Sequence, residues 1–207
     1  MDFRRQREQL VDRLRTQREV SERTLDAIHA VPRHLFVPEP KQNAAYQDTP
    51  LPIGQGQTIS APHMVAMMTD LLDLERGTRV LEIGTGCGYH AAVTAEVVGE
   101  ENVYSVEYHE ELVSTARETL AAAGYEQISV RHGDGRNGWP KHAPYDRSYL
   151  TCAASAFPDA VSEQLHQGAI LLGPIRNGRQ VLVRATVTED GELEREEHGY
   201  VRFVPLQ

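Results

Sequence analysis

Cysteine is scarce in this chain, which removes several classes of protein from consideration. The 207 residues contain only two cysteines, Cys87 and Cys152, and these are too far apart to form a CxxC motif. A disulfide framework or a zinc site built from cysteines is therefore not expected. The nine histidines show no spacing typical of metal ligands, so we predict no metal site and two reduced thiols.

Long apolar runs are also missing from the sequence. No stretch approaches the roughly 20 apolar residues that a membrane-spanning helix needs. The first eight residues carry charges at positions where a secretory signal would have an apolar centre. We therefore expect a cytoplasmic protein that does not associate with membranes.

Lysine is nearly absent, and the charge balance is acidic. Lys41 and Lys141 are the only lysines among 21 basic residues, and 30 acidic residues give a formal net charge of −9. This balance disfavours nonspecific binding to nucleic acid, which depends on a basic surface. An acidic, arginine-rich composition is typical of a salt-adapted organism, and equally of a high-GC genome with an acidic proteome, so it does not bear on function.

Length and composition describe a single globular domain. A chain of 207 residues can bury one full core. Its 40% hydrophobic and 25% charged content is ordinary for such a domain. We predict one domain, 1–207, with helices and a long loop in residues 1–75 and an α/β core in residues 76–207.

The N-terminal part has two helical patterns followed by irregular chain. We predict a helix over residues 2–18 and a second one that starts after an N-cap at Ser21 and ends before Pro32. Three prolines in residues 31–40 predict an extended segment. Residues 41–62 lack periodicity and predict a long loop, and a helix follows over residues 63–74.

The rest of the chain alternates between strand and helix patterns, which predicts a doubly wound α/β sheet, mostly parallel with an antiparallel C-terminal strand. The predicted strands are residues 80–83, 102–107, 128–131, 145–151, 169–172, 179–188 and 199–205, and the predicted helices are residues 89–98, 110–123 and 158–165.

A glycine-rich turn follows the first of these strands. Gly84, Gly86 and Gly88 occur at alternate positions between a hydrophobic strand and a helix pattern, as in loops that bind nucleotide cofactors. The spacing departs from the dinucleotide fingerprint, which disfavours NAD. Glu82, just before the glycines, should repel a phosphate and tolerate a cationic cofactor.

Acidic side chains follow the next two strands. Glu107 ends the second strand, where a carboxylate can accept hydrogen bonds from both hydroxyls of a ribose. Asp134, between two glycines after the third strand, could accept one from the exocyclic amine of an adenine. Because the carboxyl ends of parallel strands meet at one edge of the sheet, these features together predict an adenosine-containing cofactor.

The most specific motif in the chain is the run Gly-Gln-Thr-Ile-Ser-Ala-Pro-His-Met at residues 56–64, since nothing in cofactor binding requires it. Further motifs lie at residues 31–33, 35–39, 45–46, 50–54, 80–89, 133–135, 143–146 and 201–206. Through these motifs the chain resembles the protein-L-isoaspartate (D-aspartate) O-methyltransferases, which use S-adenosylmethionine.

The resemblance implies a role for each site residue. Glu107 would bind the ribose of the cofactor, and Ser60 would hydrogen-bond the methyl acceptor. The remaining cofactor contacts would come from Glu82, Gly84, Thr85, Gly86, Gly88, Asp134 and Gly135. Ile59 and His63 would join Ser60 in binding the substrate, although a structural role for His63 at a helix start is equally consistent with the sequence, and so is a helix-capping role for Ser60.

The resemblance also implies the reaction. A methyl group would pass from S-adenosylmethionine to the free α-carboxylate of an L-isoaspartyl residue, with D-aspartyl residues as a further substrate class. The ester would then collapse to a succinimide and allow repair of the damaged protein. We expect isoaspartyl proteins and peptides as partners and a monomeric enzyme. Two alternatives stay open: a methyltransferase for another small carboxylate or amine, and a cofactor-binding protein without catalysis.

Overall fold

The computed structural model describes residues 2–17 and 20–207. Two N-terminal helices, α1 (Phe3–Gln17) and α2 (Glu22–Ala30), bury one side against the rest of the protein. Ser21 is the predicted N-cap of α2, and its side chain accepts a hydrogen bond from the amide of Thr24. Both helices are therefore confirmed, and residue 18, the last of the predicted first helix, lies outside the described residues.

The segment after α2 differs from the prediction. Instead of an extended chain, it forms two 3₁₀ helices, Arg33–Phe36 and Glu39–Ala44. Each begins directly after a proline, Pro32 or Pro38. Proline disrupts the interior of an α-helix but suits the first residues of a short helical turn, so the three prolines end α2 without forcing an extended chain.

The predicted loop over residues 41–62 contains a small antiparallel hairpin of β1 (Leu51–Gly54) and β2 (Gln57–Ile59). The turn between them places Gly54, Gln55 and Gly56 at φ angles of 99°, 51° and 69°. Glycine tolerates this left-handed region, so the two glycines permit a tight reversal. The prediction of an irregular loop was wrong for these residues because strands of three or four residues are too short to show periodicity.

The remaining helices and strands form the core of the protein. In chain order they are α3 (Pro62–Leu71), β3 (Val80–Ile83), α4 (Tyr89–Val98), β4 (Val103–Glu107), α5 (Glu110–Ala122), β5 (Ser129–His132), β6 (Tyr145–Leu150), α6 (Asp159–Ser162), β7 (Leu165–Asn177), β8 (Arg179–Val187) and β9 (Leu193–Tyr200).

Seven strands form one sheet in the order β5-β4-β3-β6-β7-β8-β9. The first five are parallel, and β8 runs antiparallel to both β7 and β9. This arrangement confirms the predicted doubly wound sheet with an antiparallel C-terminal end. The chain leaves β3 towards β4 on one side and later returns to β6 on the other, which makes β3 and β6 the switch point where ligands bind in such sheets.

The C-terminal elements differ in their bounds. β9 covers Leu193–Tyr200 instead of residues 199–205, because it is a polar edge strand without the apolar alternation that marks a half-buried strand. Residues 201–205 contribute only an isolated bridge from Pro205 to Ala153. Helix α6 is limited to four residues because the chain already joins β7 at Leu165, opposite Tyr145 of β6.

The central strands of the sheet are buried and end level with one another. Val80, Leu81 and Ile83 of β3 are each at most 1% exposed. Ile83 pairs with Val106 of β4 and with Leu150 of β6. The loops that follow these three strands therefore start from the same edge of the sheet. Within the described residues, no helix is both long and apolar enough to cross a membrane.

Candidate active site

A cleft of about 730 Å³, counting the space at its open mouth, lies at the carboxyl ends of β3, β4 and β6. The chain segments that line it are residues 57–60, 83–87, 89–90, 106–109, 151–152 and 204–207, together with Val65 and Gly135. The N-terminal hairpin, the glycine loop and the C-terminal segment therefore face a single space.

The glycine loop is held in a conformation that few other residues adopt. Gly84, Gly86 and Gly88 have φ angles of 97°, 56° and 88°, where a side chain is strained. A Cβ on Gly84 would collide with Thr151 Oγ1, which donates a 2.5 Å hydrogen bond to the carbonyl oxygen of Gly84. Gly84, Thr85 and Gly86 line the cleft, whereas Gly88 lies outside its lining and packs against Leu120.

Glu107 lines the cleft and accepts hydrogen bonds from two backbone amides there. One carboxylate oxygen accepts a 2.9 Å hydrogen bond from the amide of Gly86, and the other accepts a 2.9 Å bond from the amide of His109. The side chain is 5% exposed. A carboxylate oxygen has more than one acceptor site, so each oxygen can accept a further hydrogen bond from a ligand in the cleft.

Glu82 is placed beneath the glycine loop and outside the cleft lining. It is fully buried and accepts hydrogen bonds of 2.5 Å from Ser105 Oγ and 2.9 Å from the Tyr149 hydroxyl. Ser105 Oγ lies in turn 2.5 Å from Thr85 Oγ1. Burial raises the pKa of Glu82 to about 8, so the group is mostly neutral at pH 7, and the argument that its charge repels a phosphate does not hold.

Gly135 lines the cleft, but the neighbouring Asp134 does not. The Asp134 carboxylate accepts hydrogen bonds from the backbone amide and Nε of Arg136, and its ion pair with Arg136 measures 2.8 Å. The hydrogen bond from Arg136 lowers the pKa of Asp134. A Cβ on Gly135 would collide with Cγ2 of Ile83, so glycine is required where this turn crosses the end of β3.

Ile59 and Ser60 line the cleft from the end of β2, on the side contributed by the N-terminal part. The N-cap of α3 is Ala61, without a side-chain hydrogen bond, so Ser60 does not act as the cap. His63 is outside the lining. Its backbone amide and Nδ1 lie 2.9 and 2.8 Å from Asp48 Oδ1, which gives this histidine a structural contact at the start of α3.

The cleft is also lined by residues to which the motifs assigned no role. Tyr89 and His90 follow the glycine loop, and Thr151 follows β6. The C-terminal residues 204–207 close one wall, held by backbone hydrogen bonds of Ala153 to Val204 and of Leu206 to Ala153. The only sequence signal for this wall was the resemblance of residues 201–206 to the family ending, which carried no stated role.

Both cysteines line the cleft. Burial raises the pKa of Cys87 to about 11 and that of Cys152 to about 12. Because the thiolate is the reactive form, neither side chain is a nucleophile at neutral pH. In the described part of the chain, no group of three or more His, Cys, Asp or Glu side chains could hold a metal ion.

A doubly wound sheet with a glycine loop, a strand-end glutamate and a cleft at its switch point defines a protein of the Rossmann-like, nucleotide-cofactor class. Residues 5–207 match the family model "Protein-L-isoaspartate(D-aspartate) O-methyltransferase (PCMT)". The chain belongs to this family, and the resemblance inferred from its motifs is confirmed.

Individual proteins support this membership. The chain is 51% identical over 208 residues to protein-L-isoaspartate O-methyltransferase 2 of Archaeoglobus fulgidus, covering 100% of this chain and 95% of that protein. A solved protein-L-isoaspartate O-methyltransferase is 31% identical with a TM-score of 0.89, and the match covers 96% of this chain and 65% of the solved one.

A more distant solved structure has the same fold. A putative protein-L-isoaspartate O-methyltransferase from Plasmodium falciparum, in complex with S-adenosyl-L-homocysteine, is 24% identical with a TM-score of 0.84. That match covers 97% of this chain and 98% of the other.

Proposed function

We propose that the protein transfers a methyl group from S-adenosylmethionine to the free α-carboxylate of L-isoaspartyl residues in damaged proteins, with D-aspartyl residues as a further substrate class. Family membership over residues 5–207 supports the reaction. The observation that carries the proposal is that Ser60, from the hairpin side, and Glu107, from the sheet, face one cleft. The donor and the acceptor can therefore bind in the same space.

The residues of the cleft suit the proposed cofactor. Glu107 would bind the two ribose hydroxyls through acceptor sites that Gly86 and His109 leave free. The backbone of Gly84, Thr85 and Gly86, open because two of the three carry no Cβ, would contact the methionine and ribose part. When bound, S-adenosylmethionine supplies an activated methyl group on a sulfonium.

The adenine end of the cofactor would lie at the turn after β5. Gly135 lines the cleft there, and we retain the proposal that Asp134 meets the exocyclic amine. The hydrogen bonds from Arg136 fix the orientation of this carboxylate. The resemblance implied that Glu82 and Gly88 contact the cofactor directly, but both lie outside the cleft lining. We propose instead that they support the glycine loop, Glu82 through its hydrogen bond with Ser105 and Gly88 at the start of α4.

The reaction asks for orientation more than for proton transfer. A carboxylate acceptor is already ionised at neutral pH, so it needs no general base. Ser60 Oγ, not used as a helix cap, would donate a hydrogen bond to one carboxylate oxygen and orient the other towards the methyl group. The hairpin β1–β2 and the C-terminal segment would limit the access of water to this site.

The cellular setting follows the same proposal. We propose a cytoplasmic monomer of one domain, 1–207, without nucleic-acid or membrane partners. Support comes from the net charge of −9 and from a cluster of buried side chains that contains residues of both parts, from Leu10 to Leu182. His63 is proposed to support the acceptor site from its contact with Asp48. Light scattering at several concentrations would test the monomeric state.

The decisive experiment uses labelled S-adenosylmethionine with two peptides that differ only in an isoaspartyl or an aspartyl linkage. The proposal expects base-labile label in the isoaspartyl peptide alone, because base lability marks an ester. Equal labelling of both peptides would contradict the substrate assignment. Cofactor binding without transfer to either peptide would instead support a non-catalytic protein or another acceptor.

A further inference from the structure

Arg33 is a buried cation that the proposed reaction does not use. It lies in the first 3₁₀ helix after α2 and is 0% exposed. Arginine keeps its charge inside proteins, and a buried charge costs several kcal/mol unless it is paired. A full positive charge at this position therefore calls for an explanation.

The guanidinium donates hydrogen bonds to neutral groups, but not from all of its nitrogens. Nε donates a 2.8 Å hydrogen bond to the carbonyl of Ala45, and Nη2 donates a 2.8 Å bond to the carbonyl of Ser60. Cζ lies 4.7 Å from the centre of the Tyr89 ring. Within the part of the chain that the structure describes, Nη1 is buried without a hydrogen-bond partner. Among residues 2–17 and 20–207, no carboxylate forms an ion pair with Arg33.

Two of these contacts belong to the wall of the cleft. Ser60 and Tyr89 both line it, whereas Arg33 itself lies behind them. The guanidinium thus touches the backbone of the residue whose hydroxyl is proposed to meet the acceptor. The charge of Arg33 acts through protein and not through water, so it is weakly screened.

Two buried groups of opposite charge lie on opposite sides of the cleft. Glu107 lies on the side of the sheet, where the cofactor is proposed to bind, and Arg33 lies behind the hairpin side with Ser60. A positive charge behind the hairpin side favours an anion there. Asp48, a partly exposed carboxylate in contact with His63, attracts Arg33 electrostatically without forming an ion pair with it. A carboxylate acceptor bound beside Ser60 would add a counter-charge in the cleft itself.

We propose that Arg33 is a positioning and specificity residue for an anionic acceptor: its hydrogen bond fixes the backbone of Ser60, and its unpaired charge favours a carboxylate in the acceptor part of the cleft. The proposal rests on the function proposed above. It concerns how the acceptor is selected and goes beyond the identity of the reaction.

The test compares binding of two peptides that differ in one charge. One carries an isoaspartyl residue with its free α-carboxylate, and the other carries the α-carboxamide at the same position. Calorimetry with S-adenosylhomocysteine present measures the affinity of both without turnover. We expect the wild-type protein to prefer the carboxylate by about tenfold or more, because protein weakens the attraction between Arg33 and a carboxylate less than water does.

Two variants separate charge from geometry. R33M removes the charge and should bring the ratio of the two affinities, carboxylate peptide over carboxamide peptide, close to one. R33K keeps the charge but not the planar fork, so it should retain most of the preference while turnover falls. R147M is the matched control, because Arg147 also donates to backbone carbonyls, those of Leu72 and Asp73, and does not line the cleft. R147M should lower the melting temperature without changing the preference.

The outcomes are distinct. A wild-type preference near one, which needs no variant and so no assumption about folding, overturns the proposal. An unchanged preference in folded R33M also overturns it, and so does a loss of preference in R147M equal to that in R33M. Clear carboxylate preference without methyl transfer would count against the proposed function and leave the role of Arg33 supported.

Discussion

The carboxylate of Glu107 accepts a 2.9 Å hydrogen bond from the backbone amide of Gly86. This contact joins the end of β4 to the loop after β3, which are the two elements that the proposed cofactor would touch together. A ligand that hydrogen-bonds Glu107 therefore binds a carboxylate whose position is already set.

Replacing Glu107 by glutamine should weaken cofactor binding. The amide keeps the shape of the side chain but loses its charge and one acceptor oxygen, and hydrogen bonds to charged groups are worth about 1.5–3 kcal/mol. We expect the Kd of S-adenosylhomocysteine to rise by roughly tenfold to a hundredfold in calorimetry. E110Q, at the exposed first turn of α5, is the control, and an equal effect there would contradict a direct role for Glu107.

Replacing Ser60 by alanine should reduce turnover without affecting the cofactor. The hydroxyl lines the cleft and does not cap α3, so its loss removes a contact to the acceptor alone. We expect kcat on an isoaspartyl peptide to fall by about tenfold or more, a typical cost of losing an orienting hydrogen bond. The Kd of S-adenosylhomocysteine should stay within about twofold of the wild-type value.

S155A is the control for S60A, since Ser155 is exposed and lies outside the cleft lining. It should leave both quantities unchanged. Normal turnover in S60A would remove Ser60 from the proposed mechanism.

The burial of Glu82 predicts how stability depends on pH. Its pKa is raised from 4.5 to about 8 in the folded protein, so the folded state holds a proton that the unfolded state releases. The contribution of Glu82 to stability is therefore fully present below pH 4.5 and declines as the pH rises towards 8. The slope is at most about 1.4 kcal/mol per pH unit.

Glu82→Gln, which cannot ionise, isolates this contribution. Denaturant unfolding at pH 5, 6, 7 and 8 should show a smaller loss of stability with rising pH in the variant than in the wild-type protein. Parallel curves for the two proteins would show that Glu82 is not protonated in the native state.

Replacing Gly84 by alanine should cost more stability than the same change at Gly178. Both glycines have positive φ angles, 97° and 81°, but a Cβ on Gly178 meets nothing within 4 Å, whereas one on Gly84 collides with Thr151. Backbone strain alone costs about 1–2 kcal/mol, and overpacking adds about 1–3 kcal/mol. Denaturant unfolding of both variants checks the difference, and equal losses would mean that Thr151 moves freely aside.

Much of the fold could be predicted because periodicity reports which side of an element is buried. The strands β3 to β6, the helices between them and the N-cap Ser21 were recognisable from local pattern. The hairpin of residues 51–59 and the edge strand β9 were not, because the first is too short for periodicity and the second exposes nearly all its side chains. Apolar spacing carries no signal in either case.

The candidate site divides in the same way. The side formed by the sheet could be predicted, since residues that end successive parallel strands must meet at one edge, and Glu107, Gly84, Gly86 and Gly135 line the cleft. The motif of residues 56–64 identified the family, and the resemblance predicted Ile59 and Ser60 as substrate-binding residues. The spacing of residues in the sequence could not predict that Asp134 forms an ion pair with Arg136 or that His63 contacts Asp48. Such contacts depend on local backbone geometry.

The amino-acid sequence alone determined the class of sheet, the position of the glycine loop and the family, since these depend on local pattern and on contiguous motifs. Only the tertiary structure decided that Glu82 is buried with a raised pKa, that Arg33 lies buried behind Ser60, and that the C-terminal residues close the cleft. Burial and pairing arise from contacts between residues far apart in the chain, and these contacts set both pKa values and charge compensation.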